Sequence, residues 1–309
     1  MSTDTHPPRR YGILDLPDRP FPLALDEPLP SIRTLYDRAR RQSWDPDADI
    51  PWHLADSGGY TDEQLDAARV YWSRRAWSEY GAISESPSMQ LRFALENRAP
   101  DLSLFWTVRT QEEVKHAEVC RRMAEALGRY HLQPSDEELE AIAGALGTRE
   151  RVLDESILLE ATIAGLVCVA ETVVYDVFVK LVRQVIDPVA KEIFRLIIRD
   201  ETRHCEFGWA YLEDRVPRMT ASERSECEQA MIAMIDDVEL AGYRSAWLAV
   251  EPTASEVRID ELVFEAGLGG TRADWEAPII VTSIRGIRER AGRIGLELPT
   301  FHHHLLGDI

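Results

Sequence analysis

The chain has 309 residues, enough for one large domain or two small ones with a well-buried core. Its 35 basic and 54 acidic residues give a net charge of −19, which argues against nucleic acid and anionic membrane surfaces as partners. The four cysteines form no CxxC pair and no basic-then-apolar signal opens the chain, so we expect reduced thiols and a cytoplasmic protein.

The first 58 residues contain nine of the 17 prolines and lack a sustained helical period. This composition predicts an irregular arm with one short helix near residues 31–41. From Thr61, a suitable N-cap, apolar residues recur at three- and four-residue spacing, and no alternating strand pattern of any length follows. We therefore predict an all-α protein with an arm over 1–58, a helical core over 59–215 and a helical extension over 216–309 that packs on the core.

Turn and cap signals divide the helical region into long segments. The spacing predicts helices over 61–97, 102–129, 134–146, 152–185, 189–212, 220–250, 254–266 and 275–291. Several of these are far longer than the average helix of a globular protein, and such lengths indicate a bundle. The apolar run over 157–182 contains Glu160, Glu171 and Asp176, so we interpret it as a buried core helix and not as a membrane span.

One five-residue pattern occurs twice, as EEVKH and, 88 residues later, as DETRH. Residues three apart share one face of a helix, so Glu113 points the same way as His116, and Glu201 the same way as His204. A carboxylate and an imidazole at this spacing can bind one metal ion. Two such motifs, with one glutamate from each of two further helices, form a dinuclear site in a four-helix bundle.

The helix before the second motif supplies a glutamate at matching depth. Glu201 lies 13 residues after Pro188 and Glu171 lies 17 before it, whereas Glu160 would be about 16 Å further along the axis. Glu171 also lies in an apolar segment, where a carboxylate without a partner or a metal costs several kcal/mol. We therefore predict that Glu171 is the third carboxylate ligand.

The helix before the first motif offers two glutamates. Glu113 lies 13 residues after Pro100, while Glu85 lies 15 before it and Glu79 lies 21 before it. The symmetry of these counts favours Glu85, but Pro87 distorts the helix there and leaves Glu79 in cleaner helical sequence. We expect Glu85 to be the ligand and keep Glu79 as the alternative.

Ligand chemistry and the flanking residues narrow the site further. Four carboxylates and two imidazoles balance two divalent ions and suit iron or manganese better than copper or structural zinc. Histidine ligands usually donate their second N–H to a carboxylate, so Glu112 and Asp200 are the expected outer partners of the two imidazoles. Tyr175, Phe178 and Cys168, on the helix of the third carboxylate, are candidates for a substrate pocket, with core packing favoured for the cysteine and for the tyrosine.

These residues resemble the ferritin-like dinuclear iron carboxylate proteins over about residues 61–212. The superfamily includes p-aminobenzoate N-oxygenase and its relatives, acyl-carrier-protein desaturases, aldehyde-deformylating oxygenases and bacterial multicomponent hydroxylases. The N-oxygenase group is expected to have an extra histidine ligand one turn before the final glutamate, where this chain has Ile197. The resemblance implies a ferritin-like four-helix bundle with additional N- and C-terminal helices. It also implies two iron ions, with manganese or a mixed Mn/Fe pair as alternatives.

The resemblance further implies an oxidoreductase that activates O₂. The first expectation is a non-haem diiron monooxygenase that hydroxylates or N-oxygenates a small organic molecule. The alternatives are a desaturase or oxidase of an acyl or alkyl chain, and a ferroxidase or non-catalytic metal-binding bundle. Because the sequence contains no flavin or nicotinamide motif, we expect an external electron donor such as a ferredoxin or flavin reductase, and the chain could form a homodimer.

Overall fold

Eight α-helices account for almost all regular structure in the computed structural model, which describes residues 25–131 and 152–309. They are α1 Pro30–Arg41, α2 Asp62–Leu95, α3 Pro100–Ala126, α4 Leu159–Leu181, α5 Pro188–Arg215, α6 Ala221–Ala233, α7 Ala254–Glu265 and α8 Ala273–Ile294. A two-residue antiparallel ladder follows, with β1 His302–His303 paired to β2 Gly307–Asp308. The all-α prediction is confirmed, and the helix expected over 134–146 lies outside the described residues.

Local sequence determines where the longest helices begin. Thr61 accepts a hydrogen bond from the N–H of Gln64, whose side chain accepts one from the N–H of Thr61, so a capping box starts α2. Asp187 starts α5 by accepting the N–H groups of Val189 and Ala190. Both helices therefore begin within one residue of their predicted positions.

The central bundle consists of α2, α3, α4 and α5. The first two helices pack as one hairpin, the last two pack as a second hairpin, and α3 also contacts α5. Trp72, Trp106, Phe105 and Phe207 are almost fully buried in the apolar core that these helices share. Removal of such large side chains from water is the main contribution that stabilises the bundle.

The remaining helices pack on the outside of this bundle. The short helix expected near residues 31–41 is confirmed as α1, which lies against α3 and α5, and the residues after it place Trp44 in a buried position. α7 lies on α2, and α8 lies on α4. α6 crosses the first half of α4, where a Cβ on Gly165 would lie 3.0 Å from the carbonyl oxygen of Ala230. The proposed division of the chain at residues 58 and 215 stays a prediction.

α4 contains a π-helical segment, Ile163–Ala170, directly before Glu171. Hydrogen bonds in a π-helix run between residues five apart, so the segment changes the face on which the following residues lie. By length and composition α4 could cross a membrane, but most of it is buried inside the bundle. This burial agrees with the interpretation of α4 as a core helix.

Two helices are shorter than predicted. α4 begins at Leu159 and not at residue 152, and α6 gives way to a second π-helical segment at Met234–Glu239. The chain then turns at Gly242, whose φ of 93° lies in the left-handed region that glycine adopts without strain. A Cβ at Gly242 would lie 2.7 Å from the backbone nitrogen of Ala249, so the close packing of this turn also requires glycine.

Candidate metal centre

The two repeated motifs face each other inside the bundle, one on α3 and one on α5. Glu113, His116, Glu201 and His204 are all buried, and both histidines are completely inaccessible to solvent. The ring centroids of the two imidazoles are 6.2 Å apart. The i, i+3 spacing of each motif therefore brings a carboxylate and an imidazole from each helix to one place.

The two carboxylates of the motifs each face both histidines. Nδ1 of His116 lies 3.5 Å from Oε2 of Glu113 and 3.6 Å from Oε1 of Glu201. Nδ1 of His204 lies 3.4 Å from Oε1 of Glu113 and 3.1 Å from Oε2 of Glu201. Because the two oxygens of one carboxylate face different histidines, both glutamates are placed to bridge two cations.

One further carboxylate completes each half of the arrangement. Oε2 of Glu79, on α2, lies 3.9 Å from Nδ1 of His116, and Oε2 of Glu171, on α4, lies 4.0 Å from Nδ1 of His204. The ligand atoms within each of two groups lie within 4.8 Å of one another: Glu79, Glu113, His116 and Glu201 in the first, and Glu113, Glu171 and His204 in the second. Four helices thus contribute six side chains to one buried cluster.

Glu85, which the count from Pro100 favoured as the ligand of α2, lies outside both groups, and the alternative Glu79 lies inside one. The cause is the position of the turn between α2 and α3. Glu85 is level with Arg109, 3.6 Å from its Nη1, which places the centre of the hairpin near Asn97 and not at Pro100. Asn97 has a positive φ of 55°, as expected for a residue at a tight reversal.

Two carboxylates outside the ligand groups hold the histidine rings, as predicted from the residue that precedes each motif glutamate. Nε2 of His116 lies 3.2 Å from Oδ2 of Asp200, and Nε2 of His204 lies 2.9 Å from Oε2 of Glu112. Arg203, on α5, donates to both of these carboxylates and lies 2.5 Å from Oε1 of Glu112. With Nε2 engaged in this way, the Nδ1 atoms of both rings face the cluster.

Trp44 also contacts one of the carboxylates that hold the histidines, and this contact was not predicted. Its indole N–H donates to Oδ2 of Asp200 at 2.7 Å, and its ring stacks near that of His116 with centroids 6.4 Å apart. Lys115 donates to Ser43, and its ammonium group lies 5.3 Å from the centre of the Trp44 ring. A single tryptophan in an arm without helical period gives no sequence signal for this contact.

Two arginines, also not predicted, contact carboxylates of the cluster; Arg109 is buried and Arg75 is partly buried. Nη2 of Arg75 lies 2.6 Å from Oε1 of Glu79, one helical turn away on α2. Arg109 donates to Glu171 and lies 3.2 Å from Oε1 of Glu113. Each half of the cluster therefore has one guanidinium beside its carboxylates.

Burial and charge shift the protonation of these groups in different directions. Burial raises the pKa of Glu79 to about 7, although the charge of Arg75 opposes the shift. Burial also raises the pKa of Asp200, but the hydrogen bond from His116 and the charge of Arg203 outweigh it and lower the value to about 2. Asp200, which holds His116, is thus ionised, whereas the positive charge around Glu79 does not offset the effect of its burial.

The residues fit a pair of divalent transition-metal ions. Nδ1 of His116 and Oε2 of Glu171 are buried without a hydrogen-bond partner, a state that is costly unless a cation satisfies both atoms. One imidazole and several carboxylate oxygens on each side form a donor set that suits iron or manganese.

A cavity of about 360 Å³ lies beside the cluster, between α2, α4, the turn after α6, and helices α7 and α8. Arg75, which contacts Glu79, forms part of its wall, and Phe178 lines its apolar side. Among the described residues its lining includes neither Tyr175 nor Cys168. Cys168 is fully buried, as favoured from sequence, and packs where α4 meets α5.

The sequence matches no protein-family model and no curated protein. Solved structures of R2-like ligand-binding oxidases are nevertheless similar to it in three dimensions. A valine-to-leucine variant with aerobically reconstituted Mn/Fe cofactor superposes with a TM-score of 0.68 at 17% identity, over 85% of this chain and 93% of that one. The chain shares their fold. A form with aerobically reconstituted metal cofactor after photoconversion gives 0.66 at 17% identity, over 84% of this chain and 92% of the other.

A third such oxidase, with aerobically reconstituted Mn/Fe cofactor after a long soak, gives a TM-score of 0.64 at 18% identity, over 86% of this chain and 93% of that one. Similarity at this level of identity establishes the architecture, namely a ferritin-like helical bundle with helices added at both ends. The predicted fold class is therefore confirmed.

Proposed function

We propose that this chain is a dimetal oxidase that activates O₂ at Glu79, Glu113, His116, Glu171, Glu201 and His204. The observation that carries the proposal is the division of the oxygens of the two motif glutamates between two histidines. A single cation would not require both oxygens of each glutamate to face different histidines, whereas two cations that share these carboxylates would. The Mn/Fe cofactors named for the similar oxidases support a redox-active pair.

A bound iron or manganese pair would supply the two electrons that reduction of O₂ requires. The protein's own contribution is to place and orient the ligands. Asp200 and Glu112 hold the imidazoles, and Arg203 fixes those two acids, so neither ring can rotate without breaking a buried hydrogen bond. The surrounding aromatic core excludes water from the cluster, and the adjoining cavity gives a substrate a place to bind.

Within this class we propose a monooxygenase that hydroxylates or N-oxygenates a small molecule with electrons from an external donor. The cavity favours this proposal over a desaturase or oxidase of a long acyl chain. Its wall combines polar and charged side chains with apolar ones, and it lies between helices α2, α4, α7 and α8. A long alkyl chain would instead require a continuous apolar tunnel. A ferroxidase would need no organic pocket at all.

Metal loading of ligand variants tests the proposed centre directly. Purified chain is loaded anaerobically with Fe²⁺ or with Mn²⁺ and Fe²⁺, desalted and analysed for bound metal, and O₂ uptake is then followed. We expect two metals per chain and metal-dependent uptake. Glu79→Ala and Glu171→Ala should each lose about one metal, because each residue serves one half of the cluster.

Glu85→Ala is the matched control on α2. Its carboxylate is buried and close to Arg109, but it lies outside both ligand groups, so the variant should retain two metals. Loss of metal from Glu85→Ala with full retention in Glu79→Ala would reverse the assignment. Two bound metals without any metal-dependent O₂ uptake would contradict the oxidase.

A further inference from the structure

The cavity beside Glu79 has charged side chains in its wall, and among the described residues two of its acids are not paired with an arginine. In the described part of the chain its three arginines each lie near an acid: Arg74 lies 3.4 Å from Glu256, Arg75 2.6 Å from Glu79 and Arg244 3.0 Å from Glu239. Two other carboxylates of the wall, Asp260 and Glu276, have no ion-pair partner within 4.0 Å among these residues. Counted over the described residues, three arginines and three acids line the cavity; Arg75 and Arg244 pair with acids outside the lining, and two acids of the wall remain without an ion-pair partner.

The two unpaired carboxylates differ in how they are held. Glu276 accepts hydrogen bonds from Ser245, Trp247 and Thr271 at 2.7–2.9 Å, so its oxygens are fixed and largely satisfied. The carboxylate of Asp260, on α7, accepts no hydrogen bond from any described residue. Asp260 is thus the acid of the wall that is free to bind a donor from a ligand.

The surroundings of Asp260 leave it short of positive charge. Burial raises its pKa to about 7, and the charges of Glu276 and Glu256 raise it further, while Arg74 opposes the shift. A buried carboxyl group with too little positive charge around it is stabilised when a cation binds beside it, because the cation favours the ionised form.

The rest of the cavity suits an organic ligand and not a bare ion. Val173, Val177 and Phe178 of α4 form an apolar side, and the aromatic side chains Tyr71 and Tyr243 also face the space. Aromatic faces attract ammonium groups, and a volume of about 360 Å³ is typical for a small-molecule site. The cavity therefore offers an anionic end and an apolar body within one enclosure.

We propose that this cavity binds a small organic amine in its cationic form, with the ammonium group at Asp260 and the apolar part along α4 toward Arg75 and Glu79. The further step, that such amines are the substrates of the enzyme, rests on the proposed dimetal function. Binding itself does not require metal, since the groups that recognise the amine belong to α2, α4, α7 and α8 and lie outside the ligand set.

Calorimetric titration of the full chain with three matched probes tests the proposal. Phenethylamine, 2-phenylethanol and 3-phenylpropanoate share one ring and differ in the charge of the other end. We expect phenethylamine to bind at least about tenfold more tightly than the alcohol, because a charge-assisted hydrogen bond replaces a neutral one, and the carboxylate to bind weakest.

Asp260→Asn should lower the affinity for phenethylamine by about tenfold or more and leave that for 2-phenylethanol unchanged. Glu265→Gln is the control, since Glu265 lies on the same helix but is exposed and outside the cavity. Equal affinity for amine and alcohol in the unchanged chain, or no measurable binding of the amine, would overturn the proposal even if the Asp260 variant failed to fold.

Titrations before and after metal loading separate this proposal from the proposed function. Amine binding in a chain that loads two metals but consumes no O₂ would refute the oxidase and keep the binding site. Metal-dependent O₂ uptake in a chain that does not distinguish the amine from the alcohol would refute the amine site alone.

Discussion

Replacement of Arg203 by methionine tests whether the outer acids depend on one shared cation. Arg203 is completely buried, and its guanidinium contacts Glu112, Asp200 and the side chain of Gln42. Methionine has a similar length and no charge, so the variant leaves two buried carboxylates without the guanidinium that they share. Removal of one partner from a buried ion pair typically costs 3–5 kcal/mol, and we expect a loss of about 4 kcal/mol in the free energy of unfolding.

Urea unfolding of the metal-free protein, followed by circular dichroism, measures this loss. Arg195→Met is the matched control, because Arg195 lies on the same helix and pairs with Glu192, but its side chain is 62% exposed. An exposed pair of this kind contributes at most about 1 kcal/mol. If Arg203→Met cost no more than Arg195→Met, the buried network would not stabilise the fold, and the reasoning about how the histidines are held would fail.

Two further predictions concern the cavity and the helix packing. The folded-state pKa of Asp260, about 7, lies above its ordinary value of 3.8, so its contribution to stability is present below about pH 4 and declines as the pH rises toward 7. Relative to the unchanged chain, Asp260→Asn should therefore gain stability between about pH 4 and pH 8 in urea unfolding, and a constant difference would contradict the burial of this carboxyl. A Cβ at Gly208 would lie 2.9 Å from both Cys168 and Val167, whereas one at Gly286 would meet nothing within 4 Å. Gly208→Ala should thus lower the melting temperature, with a loss of about 1–3 kcal/mol in the free energy of unfolding. Gly286→Ala should raise the melting temperature slightly, with a gain of up to about 1 kcal/mol. An equal change in melting temperature for the two variants would refute the close contact at Gly208.

The sequence alone was enough to predict those features whose geometry depends on the spacing of nearby residues. The i, i+3 motifs, the caps at Thr61 and Asp187, and the apolar surroundings of Glu171 each follow from residues within a few turns of one another. The choice between Glu79 and Glu85 was different, because it depended on where a hairpin reverses, and an error of three residues in that position changes which glutamate is level with which partner.

Contacts made across the bundle could not be read from spacing at all. Arg109 occupies an ordinary helical position, and its role appears only when α2, α3 and α4 come together around it. The same holds for the cavity, whose wall combines side chains more than 200 residues apart, from Tyr71 to Ile280. The π-helical segment before Glu171 likewise leaves no mark in the apolar pattern, since every residue within it is buried.

The contact between Trp44 and Asp200 connects the segment after α1 to the buried cluster. Asp200 is joined to His116 on one side and to the indole on the other, so a shift of the segment after α1 would turn the imidazole itself. A partner protein that bound this segment and displaced Trp44 would therefore change the orientation of His116 without contacting the cluster itself.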